Sequence, residues 1–121
     1  MHNHQDIQQK LQQLELKLRR ELLLIIKDVS PDSAELVKTA ILGDIIDFMP
    51  KVKLANTELF TQLMKLDAAL CQLELGLYGL CSDCEMEIEM SRLINEPTEQ
   101  RCASCQRKYM NEHRLELRLS H

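Results

Sequence analysis

Apolar residues recur at helical spacing along most of the chain. Ile7, Leu11, Leu14, Leu18, Leu22, Ile25 and Val29 follow one another at three or four residues, which places them on one stripe of a helix from about Gln5 to Asp28. The residues between them are largely Gln, Glu, Lys and Arg, as a solvated helix face requires. Leu16, Leu23, Leu24 and Ile26 widen the apolar surface and predict a second neighbour or a self-association face. Ser30-Pro31-Asp32-Ser33 interrupts the pattern. Ser30 is suited to accept a hydrogen bond from a free amide and Pro31 to open a helix, so a new helix or a kinked continuation begins there. Ala34, Val37, Ile41, Ile45 and Phe48 again keep helical spacing, weakened by Gly43 and broken or restarted at Pro50.

Asn56 or Thr57 then caps a third stretch. Leu59, Leu63, Leu66, Leu70, Leu73, Leu77 and Leu80 alternate steps of four and three, an unbroken heptad and the strongest periodic signal in the chain. Two leucine-striped helices in so short a chain predict an antiparallel coiled-coil hairpin over residues 1–78, with its turn region at about 31–50. An arm of ~35 residues would reach about 50 Å. A homodimeric coiled coil fits the same stripes. Gly76 and Gly79 end the last helix, and a short charged helix is expected from Gln106 to about Leu119.

Between these lies the clearest chemical motif: Cys81-Ser-Asp-Cys84, seventeen intervening residues, then Cys102-Ala-Ser-Cys105. Two residues between cysteines let one tight turn aim both sulfurs at a shared point. Two such turns complete a tetrahedron around zinc at about 2.3 Å per Zn–S bond. The physical need is visible too. Only Met86, Ile88, Met90, Leu93 and Ile94 are strongly apolar between the pairs, too few to hold so small a unit without a cross-link. Two disulfides, a redox pair or an iron–sulfur cluster compete with zinc on the same residues. The fold class read from the sequence is therefore mainly α: an antiparallel helical hairpin, then a four-cysteine zinc finger with a C-terminal helix over residues 79–121.

Composition narrows the function. The 121 residues include no Trp, two Tyr and two Phe, which suits packed helices better than a β-sandwich. The formal net charge is −4, shared evenly between residues 1–80 and 81–121, and a four-thiolate zinc site adds about −2 more. Neither part offers the basic face that phosphate neutralisation needs, so direct DNA binding is not expected. No apolar run approaches a membrane span, and Met-His-Asn-His-Gln is unlike a signal peptide. A cytoplasmic protein is expected, where paired cysteines are metal ligands more readily than disulfides. Four sulfurs fill zinc's coordination shell, and no Ser-His-Asp set, glycine-rich phosphate loop or HExxH motif is present, so no enzymatic activity is expected. Cys71 stands apart on the leucine helix and is expected to be a small buried or half-buried thiol, with a redox role as the alternative.

Tyr78-Gly79-Leu80-Cys81-Ser82-Asp83-Cys84, Ile88 followed by Arg92-Leu93 and Pro97, and the second cysteine pair with Gln106 beside it resemble the DksA/TraR C4-type zinc-finger family. Gly76-Leu77-Tyr78-Gly79 after a leucine-rich helix is similar to it as well. The resemblance implies a non-enzymatic transcription regulator that binds bacterial RNA polymerase and inserts its hairpin through the secondary channel, often together with the alarmone ppGpp. It implies acidic residues at the hairpin tip. The nearest match to the family's Asp-x-x-Asp-x-Ala is Asp44-Ile45-Ile46-Asp47-Phe48-Met49, with Met49 in place of Ala. Asp44 and Asp47 are thus the candidate polymerase-facing pair, and Arg92, Arg101, Arg107 and Lys108 a candidate docking cluster near the metal. Glu85 replaces the glycine that usually follows the second cysteine, at a cost of order 1 kcal/mol if the turn is left-handed. Two other classes share these features: a zinc-finger interaction or assembly module, and a thiol-based redox or zinc-responsive regulator.

Overall fold

A computed structural model describes the backbone of residues 4–119 and the side chains of residues 5–112. Six α-helices follow in order: α1 His4–Val29, α2 Ala34–Thr39, α3 Leu42–Phe48, α4 Glu58–Leu75, α5 Met90–Asn95 and α6 Ala103–Leu119. Short 3-10 turns at Pro31–Ser33 and Met49–Val52 precede α2 and follow α3. No strand occurs among the described residues, only an isolated antiparallel bridge between Leu80 and Glu87.

The long helices α1 and α4 pair antiparallel as the two arms of the hairpin. On α1 the buried stripe is Ile7, Leu11, Leu18, Leu22 and Ile26. The periodicity placed Ile25 and Val29 at its end, but Ile25 is only partly buried and Val29 is 50 % exposed. The stripe turns toward Ile26 because α2 doubles back along α1. Arg19 Nη1 donates to the Val37 carbonyl at 3.0 Å, while Glu15 holds Arg19 Nε at 2.9 Å. This is the second neighbour that the wide apolar surface of α1 required. Leu16 and Leu24 remain outside it, exposed.

Residues 31–50 are not a simple reverse turn. Pro31 opens a 3-10 turn, and the Ser30 hydroxyl pairs with that of Ser33 at 2.9 Å rather than capping an amide. Extended backbone at Ala40 and Ile41 separates α2 from α3. Pro50 is the second residue of the 3-10 turn Met49–Val52, which Lys53 ends in left-handed conformation (φ 65°). Val37, Leu42, Ile45 and Met49 from these pieces are buried in the same core as the long helices. The segment is thus a second helical layer laid on the hairpin. The arms are correspondingly shorter than the sequence suggested: α1 spans about 39 Å and α4 about 27 Å at 1.5 Å per residue.

α4 starts at Thr57, whose Oγ1 accepts the Phe60 amide at 3.2 Å. Leu59, Leu63, Leu66, Ala69 and Leu73 face the core. The helix ends where Gly76 turns left-handed (φ 75°), with the Leu77 amide on the Gln72 carbonyl and the Gly76 amide on that of Leu73. The leucine heptad therefore outruns its helix. Leu77 lies beyond the cap, exposed, and Leu80 belongs to the next module. Cys71, expected to be buried or half-buried, is exposed, at the edge of an open groove that α4 shares with Glu15 and Arg19 of α1 and Leu42 of α3. No described helix is long and apolar enough to cross a membrane.

Candidate metal centre

The helix cap at Gly76 delivers the chain into the first cysteine turn. Gly79, left-handed at φ 88°, accepts the Ile88 amide at 2.8 Å, and Leu80 bridges Glu87. This narrow hairpin carries Cys81 and Cys84 at its bend. The Cys81 amide donates to the Met86 carbonyl at 2.7 Å and the Glu85 amide to the Cys81 carbonyl at 2.9 Å. Glu85 is left-handed at φ 65°, at the position where the glycine was missed. Glu85→Gly is therefore expected to stabilise the zinc-loaded protein by about 1 kcal/mol, read as a shift in the thermal or denaturant midpoint.

The second pair lies at the start of α6. Cys102 precedes the helix, and its Sγ accepts the Cys105 amide at 3.5 Å. The Ser82 amide donates to the Gln100 carbonyl at 2.8 Å and ties the two turns together. The four sulfurs all lie within 4.8 Å of one another, and Cys84 and Cys102 are 3.8 Å apart. A tetrahedral Zn–S₄ site with bonds of about 2.3 Å has S···S edges of about 3.8 Å. All five cysteines are free of disulfides. The donor set and its spacing fit one Zn²⁺.

The thiols without a cation show why they need one. Burial pushes Cys81 up, but amide donors from Cys102, Cys84 and Asp83 outweigh it and bring it down to about 6. Sharing its proton with the sulfurs of Cys102 and Cys84 pushes Cys105 up to about 12. Four thiolates cannot coexist at this distance without a counter-charge; zinc supplies it and displaces the protons. Cys81 and Cys102 are buried, Cys105 is half-buried and Cys84 exposed.

Among the described residues, the module has little apolar core of its own around the sulfurs. Ile88 and Leu93 are buried with Cys81 and Cys102, whereas Met86, Met90 and Ile94 face outward. Polar ties replace the missing core. Tyr78 packs against both this cluster and the hairpin core, and its hydroxyl donates to the Pro97 carbonyl at 2.7 Å. Burial raises the Tyr78 pKa, so the hydroxyl stays a donor. Tyr78→Phe is expected to cost about 1 kcal/mol in chemical denaturation, the worth of one such bond. The Glu89 carboxylate accepts the Ala103 amide at 3.0 Å and so caps α6. Its own amide and that of Ala103, helped by Arg92 and Arg107, hold Glu89 below the usual carboxylate range. A lowered pKa stabilises above the unfolded value and ceases to as pH falls through the folded one. Wild type should therefore exceed Glu89→Gln in stability near neutral pH, with the gap closing in acid.

The candidate basic residues divide. Arg92 donates to the Arg101 carbonyl at 3.2 Å and pairs with Glu99 at 3.2 Å. Arg101 pairs with Asp83 at 2.8 Å and lies 4.1 Å over the Tyr109 ring. Arg92, partly buried, and Arg101, at the surface, thus both tie parts of the metal module together, while Arg107 and Lys108 stand exposed on α6. Asp44 and Asp47 lie exposed on the outer side of α3, whose Leu42 and Ile45 are buried. Sequence reasoning missed Glu89 and the Asp83–Arg101–Tyr109 stack. Their partners lie eight to eighteen residues away in the chain, and no local pattern marks them.

Residues 76–109 match the family model described as the prokaryotic dksA/traR C4-type zinc finger. No curated protein sequence matches the chain. Among solved structures, that of transcription factor DksA2 from Pseudomonas aeruginosa is similar, with 24% identity and a TM-score of 0.52 over 90% of this chain and 87% of that one. The metal module is thus similar to the dksA/traR C4-type zinc finger over the matched residues, and at this identity the structural likeness shows a shared fold.

Proposed function

We propose that this protein is a transcription factor that acts by binding RNA polymerase, without catalysis and without contacting DNA directly. The single observation that carries the reading is a dksA/traR-type zinc module set directly on the capped end of α4, the returning arm of an antiparallel hairpin. Residues 1–78 and 79–121 act as two units: a stiff probe and a zinc-clamped base, with Cys81, Cys84, Cys102 and Cys105 as the ligands. The hairpin enters the secondary channel, where exposed Asp44 and Asp47 are the acidic groups nearest the family's tip pattern. Arg107 and Lys108, the two candidate cations left exposed, contribute to docking. The setting is the cytoplasm, where polymerase works, and ppGpp is the expected co-regulator.

The test is the lifetime of promoter complexes formed by purified RNA polymerase. Zinc-loaded protein should change it, and Asp44→Asn with Asp47→Asn should abolish the change while leaving polymerase binding in place. An unaltered lifetime with bound protein would contradict the reading. A second reading, an assembly module that never enters polymerase, is favoured by the layer formed by α2 and α3, which leaves Asp44 and Asp47 on the flank of an amphipathic helix. It predicts no complex with core polymerase at all.

A further inference from the structure

The metal module leaves large apolar side chains exposed along and beside an acidic stretch of chain. An open groove of about 490 Å³ beside Tyr78 is lined by Leu80, Glu87, Glu89 and Met90 among others. Met90 and Ile94 stand one helical turn apart on α5, 48% and 65% exposed, and Met86 is 68% exposed. A unit whose buried cluster among the described residues is two cysteines, Ile88 and Leu93 thus leaves three large apolar residues uncovered. Such a surface, rimmed by polar groups, marks a place where another molecule sits.

Charge identifies the kind of molecule. From Ser82 to Ser91 every side chain but that of Ile88 is exposed, and the run holds four acids and no base. Asp83 and Glu89 are engaged with Arg101 and Arg92, but no cation among the described residues pairs with Glu85 or Glu87. A zinc–thiolate centre adds further negative charge within the same module. Nucleic acid and anionic lipid are repelled by it. We propose that this groove, with Met90 in its wall and exposed Met86 and Ile94 adjoining its lining in the chain and on α5, docks a cationic amphipathic segment of another protein. Its apolar side chains lie on the methionines and its Lys or Arg side chains reach Glu85 and Glu87. Flexible thioethers accommodate such anchors without demanding one shape. The inference stands on the module alone and does not require that the partner be RNA polymerase.

The test uses the zinc-loaded full chain with isotope-labelled methionine methyl groups. The probe is a synthetic helical peptide of Leu and Lys with all leucines on one face; the control has the same composition with leucines scattered. The Met86 and Met90 signals should move with the probe while Met64, on α4, stays put. The scattered control should bind about tenfold more weakly, and Glu87→Lys with Met90→Gln should weaken the probe by about tenfold or more at unchanged zinc content. Should that double variant lose zinc, Met86→Ser is read in the same way. Equal binding of the two peptides, movement at Met64 alone, or affinity that survives the variants would overturn the proposal. So would Met86 and Met90 signals that shift with the protein's own concentration in the absence of peptide, because a second copy would then be the occupant.

Discussion

Chelation of the metal is expected to unfold residues 78–109 while the hairpin survives. Four-sulfur zinc sites contribute roughly 10–16 kcal/mol to folding, and among the described residues the module's own buried core is Ile88, Leu93 and two of the cysteines. Its remaining order comes from bonds that the metal turns hold in register: Ser82 to Gln100, Arg92 to the Arg101 carbonyl, and Glu89 to the first amide of α6. The hairpin has an independent core of fourteen buried residues from Ile7 to Leu73. Hydrogen exchange with and without chelator should therefore show protection lost across 78–109, including the start of α6, and retained at Leu18, Leu22, Leu63 and Leu66. Cys102→Ser should reproduce the pattern. Uniform loss along the chain would mean that the zinc module and hairpin fold as one unit, and no loss would mean that the metal is incidental.

Leu66→Ala and Leu77→Ala are expected to differ by several kcal/mol, although the two leucines occupy the same periodic stripe. Leu66 is fully buried between the helices, and its truncation leaves a cavity that costs about 3–4 kcal/mol. Leu77 is 48% exposed beyond the Gly76 cap, and its loss should cost less than about 1 kcal/mol. Ile45→Ala should behave like Leu66→Ala, because α3 is part of the core. Denaturant midpoints of the three variants check the point. A large cost at Leu77 would mean that the heptad, and not the glycine cap, sets the end of α4.

Much of this was legible because local rules and tertiary packing agree. The α1 and α4 stripes, the Thr57 cap, the Pro31 restart and the glycine that ends α4 were readable from spacing and residue type. So were the four zinc cysteines, since a C-x-x-C pair prescribes its own turn. The left-handed Glu85 was readable as a missing glycine. What was not legible depends on contacts remote in sequence. Residues 31–50 read as a turn because their breaks at Ser30, Gly43 and Pro50 are local, whereas their burial depends on α1 and α4 meeting Val37, Leu42, Ile45 and Met49. The heptad ran past Gly76 because periodicity carries no stop signal, and Cys71 was misplaced because its exposure is set by which side of α4 the core takes. The braces formed by Arg92 and Arg101 look like a basic cluster in one dimension and like internal ties in three.

Direct assembly with core RNA polymerase, followed by size-exclusion chromatography, tests the central claim most simply. Zinc-loaded protein is predicted to co-elute with the polymerase as a stoichiometric complex, and protein stripped of zinc to elute alone. Zinc-loaded, folded protein that elutes apart from polymerase at every concentration tried would contradict the account.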